Sequence, residues 1–70
     1  MRVENTTVIG RKLREWRARN NMTQKKTAQK LFCNVSSLIN WERGKTVPDY
    51  YFVKAIHDLT GYKYEDLFEG

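Results

Sequence analysis

The side chains between residues 35 and 46 can form many hydrogen bonds but make up no catalytic group. Helical spacing over Val35–Arg43 turns Leu38 and Trp41 inward and leaves an outward set: Val35, Ser36, Ser37, Ile39 and Asn40. Asn can pair with the N6/N7 edge of adenine, Ser with several bases, and Val with the thymine methyl group. We interpret this set as a surface that reads DNA bases; the alternative is an ordinary polar helix face.

Cationic and small residues follow this segment. Arg43, Lys45 and Thr46 lie around Gly44. Loops that contact a DNA backbone need cations and free N–H groups, and glycine lets the chain approach closely. These residues predict phosphate contacts, and the alternative is a solvated turn.

The charge of the chain is unevenly distributed. Residues 1–45 carry eleven basic and three acidic side chains, whereas residues 46–70 carry two basic and five acidic ones. The net charge is +5. A basic two-thirds with an acidic end indicates a polyanionic partner, such as double-stranded DNA, on one face of the molecule. The alternative is a solvated surface that happens to be basic.

No set of residues has the spacing of a catalytic or metal site. His57 is the single histidine, and Cys33 is the single cysteine, so a disulfide framework and a cysteine metal cluster are excluded. We interpret Cys33 as a small core residue, with a redox sensor as the alternative. The length of 70 residues also excludes most enzymes. The sequence predicts no enzymatic activity, no metal and no cofactor.

The length predicts a single domain over residues 1–70, and we expect residues 1–6 to form a short N-terminal arm. No apolar run approaches the eighteen residues of a membrane span, and the N-terminus lacks the apolar segment of a signal peptide. We therefore expect no membrane partner and a cytoplasmic location.

Helical spacing of apolar residues continues along the whole chain, and no segment alternates as a strand does. The first helix carries Ile9, Leu13 and Trp16 on one stripe and begins at a Thr6 or Thr7 cap. A fourth helix is predicted to open at Pro48 and to bury four side chains: Phe52, Val53, Ile56 and Leu59. A short fifth helix or turn follows over residues 62–68. The pattern predicts an all-α bundle of four helices plus a short fifth.

Two of these helices are separated by only three residues. They cover residues 23–31 and 35–43, and each has about eight residues. Such spacing favours a helix-turn-helix, in which the second helix enters the DNA major groove. Ala28 supplies the small residue needed where the two backbones approach, and Thr23 is a typical N-cap.

The chain resembles the Cro/CI-type (XRE-type) helix-turn-helix repressors over residues 9–68. The resemblance rests on residues spread through that range: Ile9-Gly10, Leu13, Trp16-Arg17, Met22-Thr23-Gln24, Ala28, Leu31, Ser36, Leu38, Trp41-Glu42-Arg43-Gly44 and Pro48. It implies a lambda-repressor-like bundle with the helix-turn-helix at about residues 23–43. It also implies that Gln24 contacts phosphate and a base edge, the alternative being an exposed residue at a helix start.

The resemblance implies one structural pair as well. The equivalents of Arg17 and Glu42 form a partly buried ion pair that ties the first helix to the end of the third. Two positions depart from the family pattern: Phe32 replaces a glycine in the turn, and Thr27 replaces a leucine in the second helix. We expect a strained turn and a weaker core between the second and third helices.

Two functions follow, from different classes. The first is a sequence-specific DNA-binding transcriptional regulator, a repressor or Cro-like switch protein of phage or mobile-element type in bacteria. The second is a protein-interaction module, an antirepressor or modulator that binds a partner repressor; the apolar Val35 and Ile39 on the outward face favour it. A homodimer is a further expectation, with its surface at the C-terminal end: Tyr62, Tyr64, Leu67 and Phe68.

Overall fold

The computed structural model describes residues 8–69, and every regular element in that range is a helix. The five helices are α1 Val8–Arg19, α2 Gln24–Leu31, α3 Val35–Arg43, α4 Tyr50–Thr60 and α5 Tyr64–Glu69. The predicted all-α bundle of four helices and a short fifth is confirmed. The N-terminal arm and the Thr6 or Thr7 cap lie outside the described residues. No helix in the described range is long and apolar enough to cross a membrane.

Side-chain caps set where two of the helices begin. The Thr23 hydroxyl accepts a hydrogen bond from the backbone N–H of Lys26 at 3.0 Å, so α2 begins at Gln24. The Asp49 carboxylate accepts from the backbone N–H of Phe52 at 3.3 Å. The prediction that α4 opens at Pro48 is therefore wrong: Asp49 is the cap, and Pro48 lies buried one residue before it.

All five helices contribute to one core. Its buried side chains are Ile9, Leu13, Ala28, Leu31, Leu38, Trp41, Val53, Ile56 and Leu67. Trp16, predicted to lie in the core, is only half-buried, and so are Phe52 and Leu59 on α4. Phe52 still packs against Trp41, with ring centroids 5.2 Å apart. The packing of α1 against α3, α4 and α5 makes α1 the central element of the bundle.

The helix-turn-helix occupies α2, a three-residue turn and α3. α2 packs against α3, and Ala28, Leu31 and Leu38 are all buried in the same core cluster. Thr27 is fully buried at the position where the repressors that the sequence resembles have leucine, and its hydroxyl donates to the Thr23 carbonyl at 2.9 Å. This hydrogen bond offsets the cost of burying a polar group, although threonine fills less volume than leucine.

The turn itself is strained at Phe32. This residue lies in the left-handed region, with φ 58° and ψ 42°, and its backbone N–H donates to the Gln29 carbonyl at 3.2 Å. The conformation costs a residue with a Cβ roughly 1–2 kcal/mol. The Phe32 side chain is 83% exposed, so core packing does not offset that cost. The strain expected from this departure is confirmed.

Replacing Phe32 by glycine should raise stability. The gain from relieving the left-handed backbone exceeds the loss of about 0.5–1 kcal/mol from the greater freedom of glycine in the unfolded chain. We expect the free energy of unfolding to rise by about 0.5–1 kcal/mol. In thermal unfolding followed by circular dichroism, the midpoint should rise by roughly 4–8 °C for each kcal/mol gained. Phe32→Ala is the control: it removes the ring but keeps the Cβ, so its midpoint should stay close to that of the parent. A lower midpoint for Phe32→Gly than for Phe32→Ala would contradict the strain.

Candidate nucleic-acid interface

The outward face of α3 is narrower than the sequence predicts. At 100° per residue, Ser36, Asn40 and Arg43 lie on the side opposite the buried Leu38. Ser36 and Arg43 are exposed, and Asn40 is half-buried. The side chain of Asn40 makes no hydrogen bond to any described residue, so its amide remains available to a ligand. These three side chains form the centre of the candidate reading face.

The remaining members of the outward set lie at its margins. Val35 is 38% exposed at the start of α3. Ser37 and Ile39 lie on the two flanks of the helix and are half-buried. The prediction that Ile39 is exposed is therefore wrong, because a residue 100° from Leu38 still packs partly against the bundle. Of the two apolar residues that favour a protein partner, Val35 is therefore exposed and Ile39 is not.

The loop after α3 offers charged side chains rather than backbone donors. Arg43, Lys45 and Thr46 are all exposed. The Lys45 N–H, however, donates to the Asn40 carbonyl at 2.9 Å, and the Thr46 N–H donates to the same oxygen at 3.5 Å. Gly44, with φ 78°, closes the helix in the left-handed conformation. The expectation of free N–H groups here is wrong, since these groups satisfy the last carbonyls of α3.

A buried ion pair fixes the end of α3 against α1. The Nε atom of Arg17 donates to Oε2 of Glu42 at 2.7 Å, and its Nη2 atom donates to Oε1 at 2.9 Å. The Glu42 side chain is 4% exposed and that of Arg17 is 18% exposed. The hydrogen bond to Glu42 raises the pKa of Arg17 above its ordinary value. This two-bond geometry matches the planar fork of guanidinium to the carboxylate.

The same carboxylate also holds the start of α2. The Nε2 atom of Gln24 donates to Oε1 of Glu42 at 3.2 Å, and Gln24 is half-buried. Arg17 reaches further, donating from Nη1 to the Met22 carbonyl at 3.1 Å. The contact of Gln24 with Glu42 is absent from the sequence-based prediction, because it depends on how α2 crosses α3. No spacing along the chain indicates it.

Cationic side chains lie at the start of α2, next to the network of Arg17, Gln24 and Glu42. Lys25 and Lys26 are exposed in the first turn of α2, beside Gln24. α2 contains no acidic residue, and the only one in α3 is Glu42, which Arg17 neutralises. The start of α2 and the loop after α3 therefore combine free cations with the hydrogen-bonding groups of α3. Such a combination suits phosphate and base contacts in one groove.

Cys33 and His57, the two side chains that could be chemically reactive, both have structural contacts. Cys33 is half-buried against the core, and burial raises the pKa of its thiol, which keeps it protonated. The Nδ1 atom of His57 lies 2.7 Å from the Tyr62 carbonyl oxygen, which can only accept, so this nitrogen donates. Within residues 8–69 no cluster of His, Cys, Asp or Glu could hold a metal ion.

Comparison with known protein families identifies a helix-turn-helix family. The profile of a family described as a helix-turn-helix domain matches residues 10–70. That range contains α2, the turn and α3, together with both members of the ion pair. No curated protein and no solved structure matches the chain.

Glu42→Gln should destabilise the fold strongly, because it leaves the Arg17 guanidinium poorly compensated. Breaking a buried pair costs about 3–5 kcal/mol, and the partial exposure of Arg17 favours the lower end of that range. Asn40→Ala should change stability by less than about 0.5 kcal/mol, as is usual away from such features. Urea unfolding of both variants measures the difference. If Asn40→Ala unfolds the protein and Glu42→Gln does not, the assignment of inward and outward faces is wrong.

Proposed function

This chain belongs to the helix-turn-helix domain family, of the Cro/CI type, and we propose that it is a sequence-specific transcriptional repressor or Cro-like switch protein of phage or mobile-element type. The family identifies a DNA-binding regulator, and such domains are typically not enzymes. We further propose that the protein acts in the bacterial cytoplasm by occupying an operator and blocking polymerase.

One observation carries this proposal: the Glu42 carboxylate holds α3 to both α1 and α2. Its bonds to Arg17 and Gln24 fix the orientation of α3 in the bundle. A reading helix must be held rigidly to select among base sequences, because direct readout depends on hydrogen-bond geometry at base edges. The rigid mounting, the outward Ser36 and Asn40, and the surrounding cations together support DNA readout.

The proposed roles divide between base reading and positioning. Ser36 and Asn40 contact base edges, with Val35, Ser37 and Ile39 at the margins of the same contact. Arg43, Lys45 and Thr46 contact phosphate through their side chains, since the N–H groups of Lys45 and Thr46 are already bonded. Gln24 contacts DNA from the start of α2. Contacts to base edges carry sequence information directly, whereas contacts to phosphate do not.

The salt dependence of DNA affinity distinguishes residues that read bases from residues that contact phosphate. For about five neutralised phosphates, log K should fall with log salt at a slope near −4.5. We expect Lys45→Ala to reduce that slope by about one and to weaken all sequences equally. Asn40→Ala should keep the slope but lose affinity for a duplex enriched from random sequence by the parent, relative to a scrambled duplex. Fluorescence anisotropy with both duplexes provides the measurement. A slope near zero for the parent would remove the DNA proposal and favour the protein-interaction module.

A second copy of the chain is the proposed partner on DNA. An apolar groove of about 490 Å³ opens between the start of α1, the loop before α4, and α5. Its rim exposes Val47, Tyr50, Tyr64 and Phe68. Of the surface expected from the sequence, Leu67 is fully buried and Tyr62 is half-buried, so the prediction is wrong for these two residues. Val47 directly follows Thr46, a proposed phosphate contact, so a copy seated here lies beside the DNA. Two reading helices must be about 34 Å apart to enter successive major grooves, and a dimer through this rim supplies the second.

Truncating Phe68 should weaken this dimer. Phe68 is 58% exposed at the groove, and removing a central aromatic anchor from an interface costs roughly tenfold or more in affinity. We expect Phe68→Ala to raise the dimer dissociation constant by that factor in sedimentation equilibrium. Phe32→Ala is the matched control, because this phenylalanine is exposed outside the groove. A parent that remains monomeric both free and on DNA with two half-sites, or an equal loss in both variants, contradicts the proposed dimer.

A further inference from the structure

We propose that a second groove, between the end of α2 and α4, binds an acidic segment of another protein through an aromatic or leucine side chain. This α2–α4 groove has a volume of about 470 Å³. Lys30 and Phe32 line one side, and Tyr51, Ala55 and Leu59 line the other. None of its lining residues belongs to the proposed reading face or to the groove proposed for the dimer. The inference therefore goes beyond DNA binding and does not depend on it.

Phe32 lines this groove at a cost to the fold. Its backbone lies in the left-handed region, and its ring is exposed instead of packing in the core. Strained residues cluster at ligand contacts and other functional sites, and stabilising replacements there often weaken function. A partner that covers the Phe32 ring supplies the apolar contact that the bundle does not.

Tyr51 is the second exposed aromatic residue of the groove. Its ring meets Phe52 edge-on, with centroids 5.0 Å apart, and Phe52 in turn packs against Trp41. These ring contacts connect Tyr51 to the core and restrict its movement. Ala55 and Leu59 are half-buried and form an aliphatic floor. Such a pocket suits a single aromatic or leucine side chain, because interface anchors are apolar groups seated in well-packed pockets.

The charges of the groove favour an acidic partner. Nζ of Lys54 lies 3.2 Å from Oδ2 of Asp58, so these two charges pair with each other. Lys30 is exposed, and its ammonium group has no ion-pair partner among the described residues. One uncompensated positive charge therefore lies beside the apolar floor. A carboxylate next to the anchoring side chain of a partner complements it.

A protein segment fits these charges better than a nucleic acid does. The exposed Asp58 carboxylate lies in the groove and repels a chain that carries a phosphate at every nucleotide. A protein can place one carboxylate at Lys30 and an uncharged side chain at Asp58. The partner that the groove fits is thus an acidic protein segment with an apolar anchor.

Selection from a random peptide display library on the immobilised chain, without DNA, tests the inference. Enriched peptides should carry an aromatic or leucine side chain close to an Asp or Glu. Fluorescence anisotropy then measures the affinity of one synthetic enriched peptide for the parent and its variants. Phe32→Ala should weaken binding roughly tenfold or more, as expected for loss of an aromatic contact at an anchor. Lys30→Glu should weaken it by a similar factor, because it places a like charge beside the carboxylate of the peptide.

Three further variants separate the groove from general effects. Lys63→Glu makes the same charge change at an exposed residue outside the groove. Phe68→Ala removes an exposed ring that lies in the groove proposed for the dimer. Both should bind the peptide like the parent. Phe32→Gly should bind as weakly as Phe32→Ala although it is the more stable protein, so unfolding cannot explain the loss.

The inference is overturned if the selection enriches no peptide, or only peptides without an acidic residue. It is also overturned if Lys63→Glu weakens binding as much as Lys30→Glu, since general attraction to a basic chain then explains the result. Loss in Phe68→Ala but not in Phe32→Ala would place the peptide in the other groove. Displacement of the peptide by single-stranded oligothymidylate would assign the groove to nucleic acid. A chain that binds no DNA contradicts the proposed function alone, because every step here uses the chain without DNA.

Discussion

The Glu42 carboxylate is the point at which three parts of the chain are joined. A buried charge is costly unless it is paired and hydrogen-bonded, and Glu42 meets that condition with donors from α1 and from the start of α2. Apolar contacts would still bury Leu38 and Trp41 if α3 rotated slightly about its axis. Hydrogen bonds tolerate less rotation, because they depend on distance and angle. The core therefore stabilises the bundle, whereas the network around Glu42 sets the direction in which α3 points.

The helices joined at Glu42 carry the candidate binding surfaces for DNA and for a second copy. The proposed reading face combines the outward side of α3 with the cations at the start of α2 and after α3. The apolar groove lies between α1 and α5, and the acidic Glu65 and Asp66 are exposed on α5. The surfaces meet where Thr46 is followed by Val47. In the proposed dimer, the second copy contacts DNA beside the first at this junction, and two linked half-site contacts bind more tightly than one.

Most of the fold could be predicted from the sequence because its signals are local. Apolar spacing indicates α1 to α4, and the Thr23 cap defines where α2 begins. The errors come from competing or non-local effects. Pro48 suits a first helical turn, but the Asp49 carboxylate next to it caps the helix instead. The half-buried state of Ile39 and the bond from Gln24 to Glu42 depend on crossing angles, which periodicity along one helix does not contain.

We propose that the network around Glu42 presents α3 and the start of α2 to DNA. The most direct measurement is an NMR titration of the ¹⁵N-labelled chain with a duplex that it enriches from random sequence. We expect the largest shift changes on the backbone amides of Gln24, Ser36, Asn40 and Lys45 and on the side-chain amides of Gln24 and Asn40, with small changes at Leu38 and Ile56. Changes centred on Tyr64 and Phe68, with α3 unaffected, would contradict it.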